Sequence, residues 1–316
     1  MLWAVIETTC KQGSGANKPV PLPGIWHTTR MLIEPPTSEN DWEKLGLWLQ
    51  DKQRLSADRN SYQLDSKSLL ALDQQGMPAG TSVAAVVRSL LDSAVDDLAS
   101  AFALVNSAGR PSPVGIPTLV RGSIELAGVG MWVLTATGRA GRQERALRVA
   151  HDSLINGKKF FTHLSQEPTA PPETQKDAAV AAKNHDSQVR NLIASCSFLG
   201  IEKKLVTRPL SRTDALKQVD KARKTTFFSE WQLCSGFAHG FSWAPQFFHD
   251  FLYTHTMEGG GTLTGRTMGP ERTLTTLHWG QHAINELLGS FNQGRRPAPP
   301  GAGMTILAMP PIKPET

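Results

Sequence analysis

Cysteine and tyrosine are scarce in this chain: Cys10, Cys196 and Cys234, with two tyrosines, are all that 316 residues hold. An odd number of cysteines with no Cys-x2-Cys pair argues against a disulfide framework or a structural zinc site, and suits a reducing compartment. Long hydrophobic runs are missing too. Nothing approaches the roughly 20 apolar residues needed to span a bilayer, because Glu125 and several glycines interrupt the best stretch. The opening residues, MLWAVIETTC, lack the basic stretch and small-residue cleavage site of a secretory signal. The expectation is a soluble, cytoplasmic chain with no membrane partner.

Charge is thin. The 33 basic and 28 acidic residues leave a net +5, and the charged fraction of 19% falls below the roughly 25% usual for soluble domains. That balance admits a nucleic-acid partner but falls short of the dense basic stripe that would demand one. Strand signals are sparse, and no solenoid repeat is present.

What the chain does have is helical periodicity on a 40% hydrophobic composition. Ser38 is placed to cap a helix in which Trp42, Leu45, Trp48 and Leu49 share a face, ending near residue 56. Residues 60–80 carry no clear signal. After Thr81, an N-cap candidate, Val83, Val87, Leu90, Ala94, Leu98, Ala101 and Val105 recur at spacings of three and four. Gly109 and Pro111 should stop that helix. Another starts near Ile116 and Pro117 and runs to Gly138. Further helices are expected at 141–164, around 189–199, at 212–224, at 227–240 and at 271–291, with 167–174 as a linker.

The fold class is therefore all-α: a main helical bundle over 81–291, an N-terminal helical extension over 37–80, an irregular segment at 1–36 and a Pro-rich, disordered tail at 292–316.

Two helices carry candidate chemistry. In the first, 117–134, Arg121 and Glu125 stand one turn apart and can pair on an otherwise apolar, Gly-rich helix. Burying such a pair is expensive unless partners satisfy both groups. Gly122, Gly128 and Gly130 each cost roughly 0.5–1 kcal/mol relative to alanine, so another backbone is expected to approach closely there. In the second, 227–244, Ser235 and His239 lie four residues apart beside Trp231, and a neutral imidazole there is able to act as a general base. Gly240 should end this helix and leave His239 near its negative pole.

The order of an Arg-x3-Glu apolar helix, a basic helix and a late aromatic-x3-Ser-x3-His-Gly helix resembles uncharacterised helical proteins of actinobacteria. Those in turn are similar to the HEPN-like superfamily, and the likeness covers roughly residues 82–245. The resemblance implies a helical bundle that binds RNA, or cleaves it without a metal, in a defence or toxin-type role. It also implies a site made of Arg121, Glu125, Ser235 and His239. The superfamily's signature is Arg-x4–6-His on one helix. Counting back from His239, the arginine would fall at Gln232, Leu233 or Cys234, none of which is basic, so Arg121 would have to act from a different helix. A separate match in spacing, Arg272-x5-His278, is of a kind that chance readily supplies.

Basic residues gather in two places. Arg139, Arg142, Arg145, Arg148, Lys158 and Lys159 form the first group. The second contains Lys203, Lys204, Arg208, Arg212, Lys217, Lys221, Arg223 and Lys224. Interleaved acids give them the look of solvated helix faces, but Arg142, Arg145, Arg148, Lys217, Lys221 and Lys224 would contact phosphates if the two faces converge. His278 and His282 have the i, i+4 spacing of metal ligands, and His249, His255, Asp250 and Glu258 are close in sequence. Without a Glu between the pair no metal site is assigned, and no cofactor is expected.

Two functions follow: an HEPN-like RNA-binding or RNA-cleaving protein, or a non-enzymatic helical module for a protein partner or a like subunit, in which the Arg/Glu/Ser/His cluster is structural. Fold resemblance alone does not choose between them. The HEPN-like reading requires Arg121, Glu125, Ser235 and His239 to meet in space.

Overall fold

The computed structural model describes residues 5–7, 39–58, 60–108, 112–248, 250–257 and 262–297. Eleven helices make the body among these residues: α1 (Glu39–Ala57), α2 (Leu69–Asp73), α3 (Val83–Ala108), α4 (Gly115–Leu134), α5 (Gly138–Gln166), α6 (Pro172–Phe198), α7 (Lys203–Thr207), α8 (Arg212–Arg223), α9 (Phe227–Ala238), α10 (Trp243–Phe248) and α11 (Pro270–Gly294). The class is all-α, as the periodicity dictates. A small antiparallel sheet accompanies it. β1 (Val5–Glu7), β2 (Asp250–Thr256) and β3 (Thr262–Thr267) pair in the order β1-β3-β2. β2 and β3 are short and rich in Thr, Tyr and Phe, residues that favour strands only once a neighbour supplies the ladder. β1 falls within the segment read as irregular.

α4 is the central element. It packs against α3, α11, α9, α8 and α5, and its last turns are buried all round, from Ala127 to Leu134. One contiguous core joins Leu98, Ile124, Val120, Leu216, Phe227, Leu287 and Phe291. The three interior glycines of α4 admit side chains rather than another backbone. A Cβ on Gly128 would lie 2.1 Å from Leu216 Cδ2, one on Gly130 2.8 Å from Leu287 Cδ1, and one on Gly122 2.2 Å from Asp97 Oδ2. Ser123 adds a hydrogen bond to the Ala94 carbonyl, 2.9 Å, which ties α4 to α3.

Boundaries shift where local hydrogen bonds decide them. The cap of α3 is Ser82, whose Oγ accepts from the Ala85 amide at 3.3 Å, while the Thr81 hydroxyl turns back to the Pro78 carbonyl. Gly138, at φ +70°, opens α5 instead of closing α4. α6 starts at Pro172, well before the apolar stripe at 189, because its outer half packs on α5 through small alanines that carry little hydrophobic signal. Ser38, the stop at Gly109 and Pro111, and the tail from 298 lie outside the described residues.

α5 and α6 form a long antiparallel hairpin. Its root packs a second, smaller cluster of Leu147, Leu192, Cys196, Ile201 and Val206. Beyond Leu147 no α5 residue is buried, so the outer turns lean on α6 and otherwise face solvent. The root is fixed by a bidentate ion pair: Arg142 Nε and Nη2 reach Asp73 Oδ2 and Oδ1 at 2.6 and 3.0 Å, and both residues are buried.

Candidate functional site

Arg121 and Glu125 face α9, as their spacing requires. The guanidinium meets the Glu125 carboxylate at 2.9 Å (Nη2–Oε2), and its Nε donates to the Ser235 hydroxyl at 2.8 Å. The indole N–H of Trp231 donates to the same Oε2 at 2.9 Å, and the Trp231 ring lies under the Arg121 guanidinium, 5.3 Å away. The other carboxylate oxygen, Oε1, takes Arg212 Nε of α8 at 2.8 Å, and Arg212 continues to Asp152 of α5 at 3.1 Å. Four helices are thus laced through one carboxylate. The Glu125 side chain keeps 14% of its exposure and Arg121 26%. A charged group at that depth is held by its hydrogen-bond partners.

His239 does not join them. α9 ends at Ala238, and His239 serves as its C-cap; the following Gly240, at φ +67°, redirects the chain. The imidazole is exposed and packs against the Phe241 ring, with centroids 5.7 Å apart; among the described residues it makes no hydrogen bond or ion pair. Four-residue spacing from Ser235 aligned the two only so long as the helix continued. The expected four-residue cluster is therefore a three-residue one, Arg121–Glu125–Ser235, completed by Trp231 and Arg212.

The predicted phosphate-binding residues divide. Arg142 is buried in its pair with Asp73 and does not reach the surface. Arg145 bonds the Trp132 carbonyl and Gln218, and its guanidinium lies over the Trp132 ring at 4.6 Å; burial pushes its pKa down. Arg148 donates to the carbonyls of Arg208 and Pro209. Lys217, Lys221 and Lys224 are exposed, at i, i+4 and i+7 along α8 and just past its end, and Lys217 Nζ sits 4.7 Å from the Phe228 ring. These three form a basic stripe; the three arginines serve helix packing.

Arg272 and His278 both lie on α11, about one-third of a turn apart around its axis, and His278 Nδ1 engages Gln281 at 2.6 Å. His282 packs edge-on against Phe227, 5.5 Å between centroids, and burial lowers its pKa. No group of three His, Cys, Asp or Glu among the described residues is placed to hold a metal ion. His249 and Glu258, and the side chains of Asp250 and His255, lie outside the described residues.

One group escaped the sequence reading. Glu230, in the first turns of α9, is 5% exposed. Its Oε1 accepts from the Thr226 hydroxyl at 2.8 Å, its Oε2 is buried without a partner, and burial pushes its carboxyl pKa up to about 7. Asp220, in the last turn of α8, reinforces that shift and caps α9 by accepting from the amides of Phe227 and Phe228 at 3.0 and 2.9 Å. The buried Cys234 thiol, one turn beyond Glu230, is pushed strongly upward by burial. The only signal in the sequence was a lone acid among Phe227, Phe228, Trp231 and Cys234.

No helix among the described residues is long and apolar enough to cross a membrane. Comparison with protein-family models, with curated proteins and with solved structures yields no match to this chain.

Proposed function

We propose that this chain is a non-catalytic helical interaction module whose buried polar cluster sets the helix arrangement and whose α5–α6 hairpin is the element offered to a partner. One observation carries the proposal. Both oxygens of Glu125 and two nitrogens of Arg121 are committed to each other and to Trp231, Arg212 and Ser235, while His239 faces solvent a turn away. A general base must stand within hydrogen-bond reach of the group it serves, and a charge-stabilising arginine needs donors aimed at the reacting phosphate. Arg121 directs its Nε and Nη2 to groups of the protein itself.

The hairpin supports the other half of the proposal. Its outer turns present Phe160, 59% exposed, and Val180, 53% exposed. Large apolar side chains held out on a projecting element favour contact with another protein surface.

An HEPN-like RNA-binding role keeps one supporting observation, the exposed stripe of Lys217, Lys221 and Lys224. Incubating the purified protein with single-stranded RNA at low salt separates the two. The module predicts no cleavage, and no difference between wild type and His239→Ala. RNA cleavage lost in a folded His239→Ala variant would overturn it.

A further inference from the structure

We infer that the corner between α8 and α9 is a proton-controlled latch, shut while Glu230 is neutral and lifting the first turn of α9 when Glu230 ionises. One residue holds the corner together. The Asp220 carbonyl accepts from the Lys224 amide at 2.8 Å, and its carboxylate accepts from the Thr225 hydroxyl at 2.6 Å and from the amides of Phe227 and Phe228. Lys224 turns the chain there with a left-handed backbone, φ +58°, which residues with a side chain adopt at a cost. Burial pushes the Asp220 carboxyl pKa upward as well. The corner is therefore strained, and it depends on a carboxylate that is short of water.

Glu230 sits against this corner in the first turn of α9. Its ionisation puts a second carboxylate near Asp220, with Oε2 buried and without a partner. Among the described residues no cation pairs with either carboxyl. On α4, Arg121 is turned to Glu125 and Ser235, and Glu125 to Arg121, Trp231 and Arg212. Lys217 of α8 lies over the Phe228 ring. From α11, His282 packs on Phe227 and is held neutral by burial, while Glu286 pairs with Arg223. α10 brings no charged residue. Water is what can relieve the new charge, and the first turn of α9 keeps it out.

The lift has a fixed end. Trp231 and Ser235 are hydrogen-bonded to Glu125 and Arg121, so α9 stays on α4 beyond its first turn. The freed turn carries Phe227 and Phe228 into solvent beside Lys217 and Lys221. Cys234 reports the event. It follows Glu230 by four residues on the same face, and helical side chains lean toward the N-terminus, so the Glu230 turn covers its thiol.

The test uses the full chain with Cys10→Ser, which leaves the buried Cys196 and Cys234. Their reaction with dithiodipyridine is followed at each site by peptide mass from pH 5 to 8. Cys196 belongs to the separate cluster at the hairpin root and registers opening elsewhere in the fold. Dividing the Cys234 rate by the Cys196 rate removes the common dependence on thiolate. Glu230 titrates at about 7 in the shut corner and near its ordinary 4.5 once solvated. The ratio should thus climb by up to about tenfold per pH unit and level off near pH 7. Glu230→Gln should flatten it. Thr226→Val removes the hydroxyl that favours the ionised form and should move the levelling to higher pH, which tests the same claim if the glutamine variant does not fold. A ratio that stays flat in the parent chain, including one in which both cysteines accelerate together, overturns the latch. So does a rise that persists in folded Glu230→Gln, or a levelling that Thr226→Val leaves in place.

Discussion

The Nε of Arg121 donates to the hydroxyl of Ser235 over 2.8 Å, joining the middle of α4 to the middle of α9. The next residue on that face of α9, His239, lies past the helix end in solvent. One turn of helix therefore separates a packed structural contact from an exposed ring, and the expected effects of substitution follow from that boundary.

Glu125 should be the most sensitive member of the cluster. Glu125→Ala strands Arg121 and the Trp231 indole, both partly buried, and should cost about 2–3 kcal/mol. Arg212→Ala removes a partner that is 43% exposed and should cost less than about 1 kcal/mol. Urea unfolding of both variants checks the order; equal losses would show that Glu125 is not the hub.

Glu230 makes stability depend on pH. Its folded-state carboxyl titrates at about 7, above its ordinary 4.5, so the folded chain holds that proton longer than the unfolded chain does. The contribution is complete below about pH 4.5 and is lost as pH rises to about 7, at no more than about 1.4 kcal/mol per pH unit. His282, lowered by burial, works in the opposite direction, gaining stability as pH climbs through its ordinary range. The difference between wild type and Glu230→Gln isolates the carboxyl. The variant should gain on wild type steadily from pH 5 to 7.5, and parallel curves would refute the assignment.

Breaking the ion pair at the hairpin root should be costly. Arg142→Ala leaves the Asp73 carboxylate buried without its bidentate partner, a loss of about 3–5 kcal/mol. Lys221→Ala, on the exposed stripe, should stay within about 0.5 kcal/mol of wild type. The double variant Arg142→Met with Asp73→Leu should recover much of the loss, since no charge remains buried. Thermal unfolding of the three variants decides the matter.

Gly128→Ala tests the close approach of α8. Alanine favours the helix by about 0.5–1 kcal/mol, but its Cβ would stand 2.1 Å from Leu216 Cδ2 in a fully buried site. Overpacking should win, with a net loss of about 1–3 kcal/mol. A companion Leu216→Val should return part of it; a stabilised Gly128→Ala would show that Leu216 moves aside freely.

Amphipathic spacing alone determined the all-α class and most of the helices, since a stripe at three and four residues has one stable use. It also determined the pairing of Arg121 with Glu125, which needs nothing beyond one helix. Small-residue segments gave no such stripe, which is why the first half of α6 was not visible, and β2 and β3 needed each other's backbone before their composition meant anything. Only tertiary structure decided that Arg142 is buried against Asp73, that Ser235 reaches Arg121 while His239 does not, and that Glu230 is buried. Periodicity tells which side chains share a face. Which groups that face meets, and where a helix stops, depend on contacts between residues far apart in the chain.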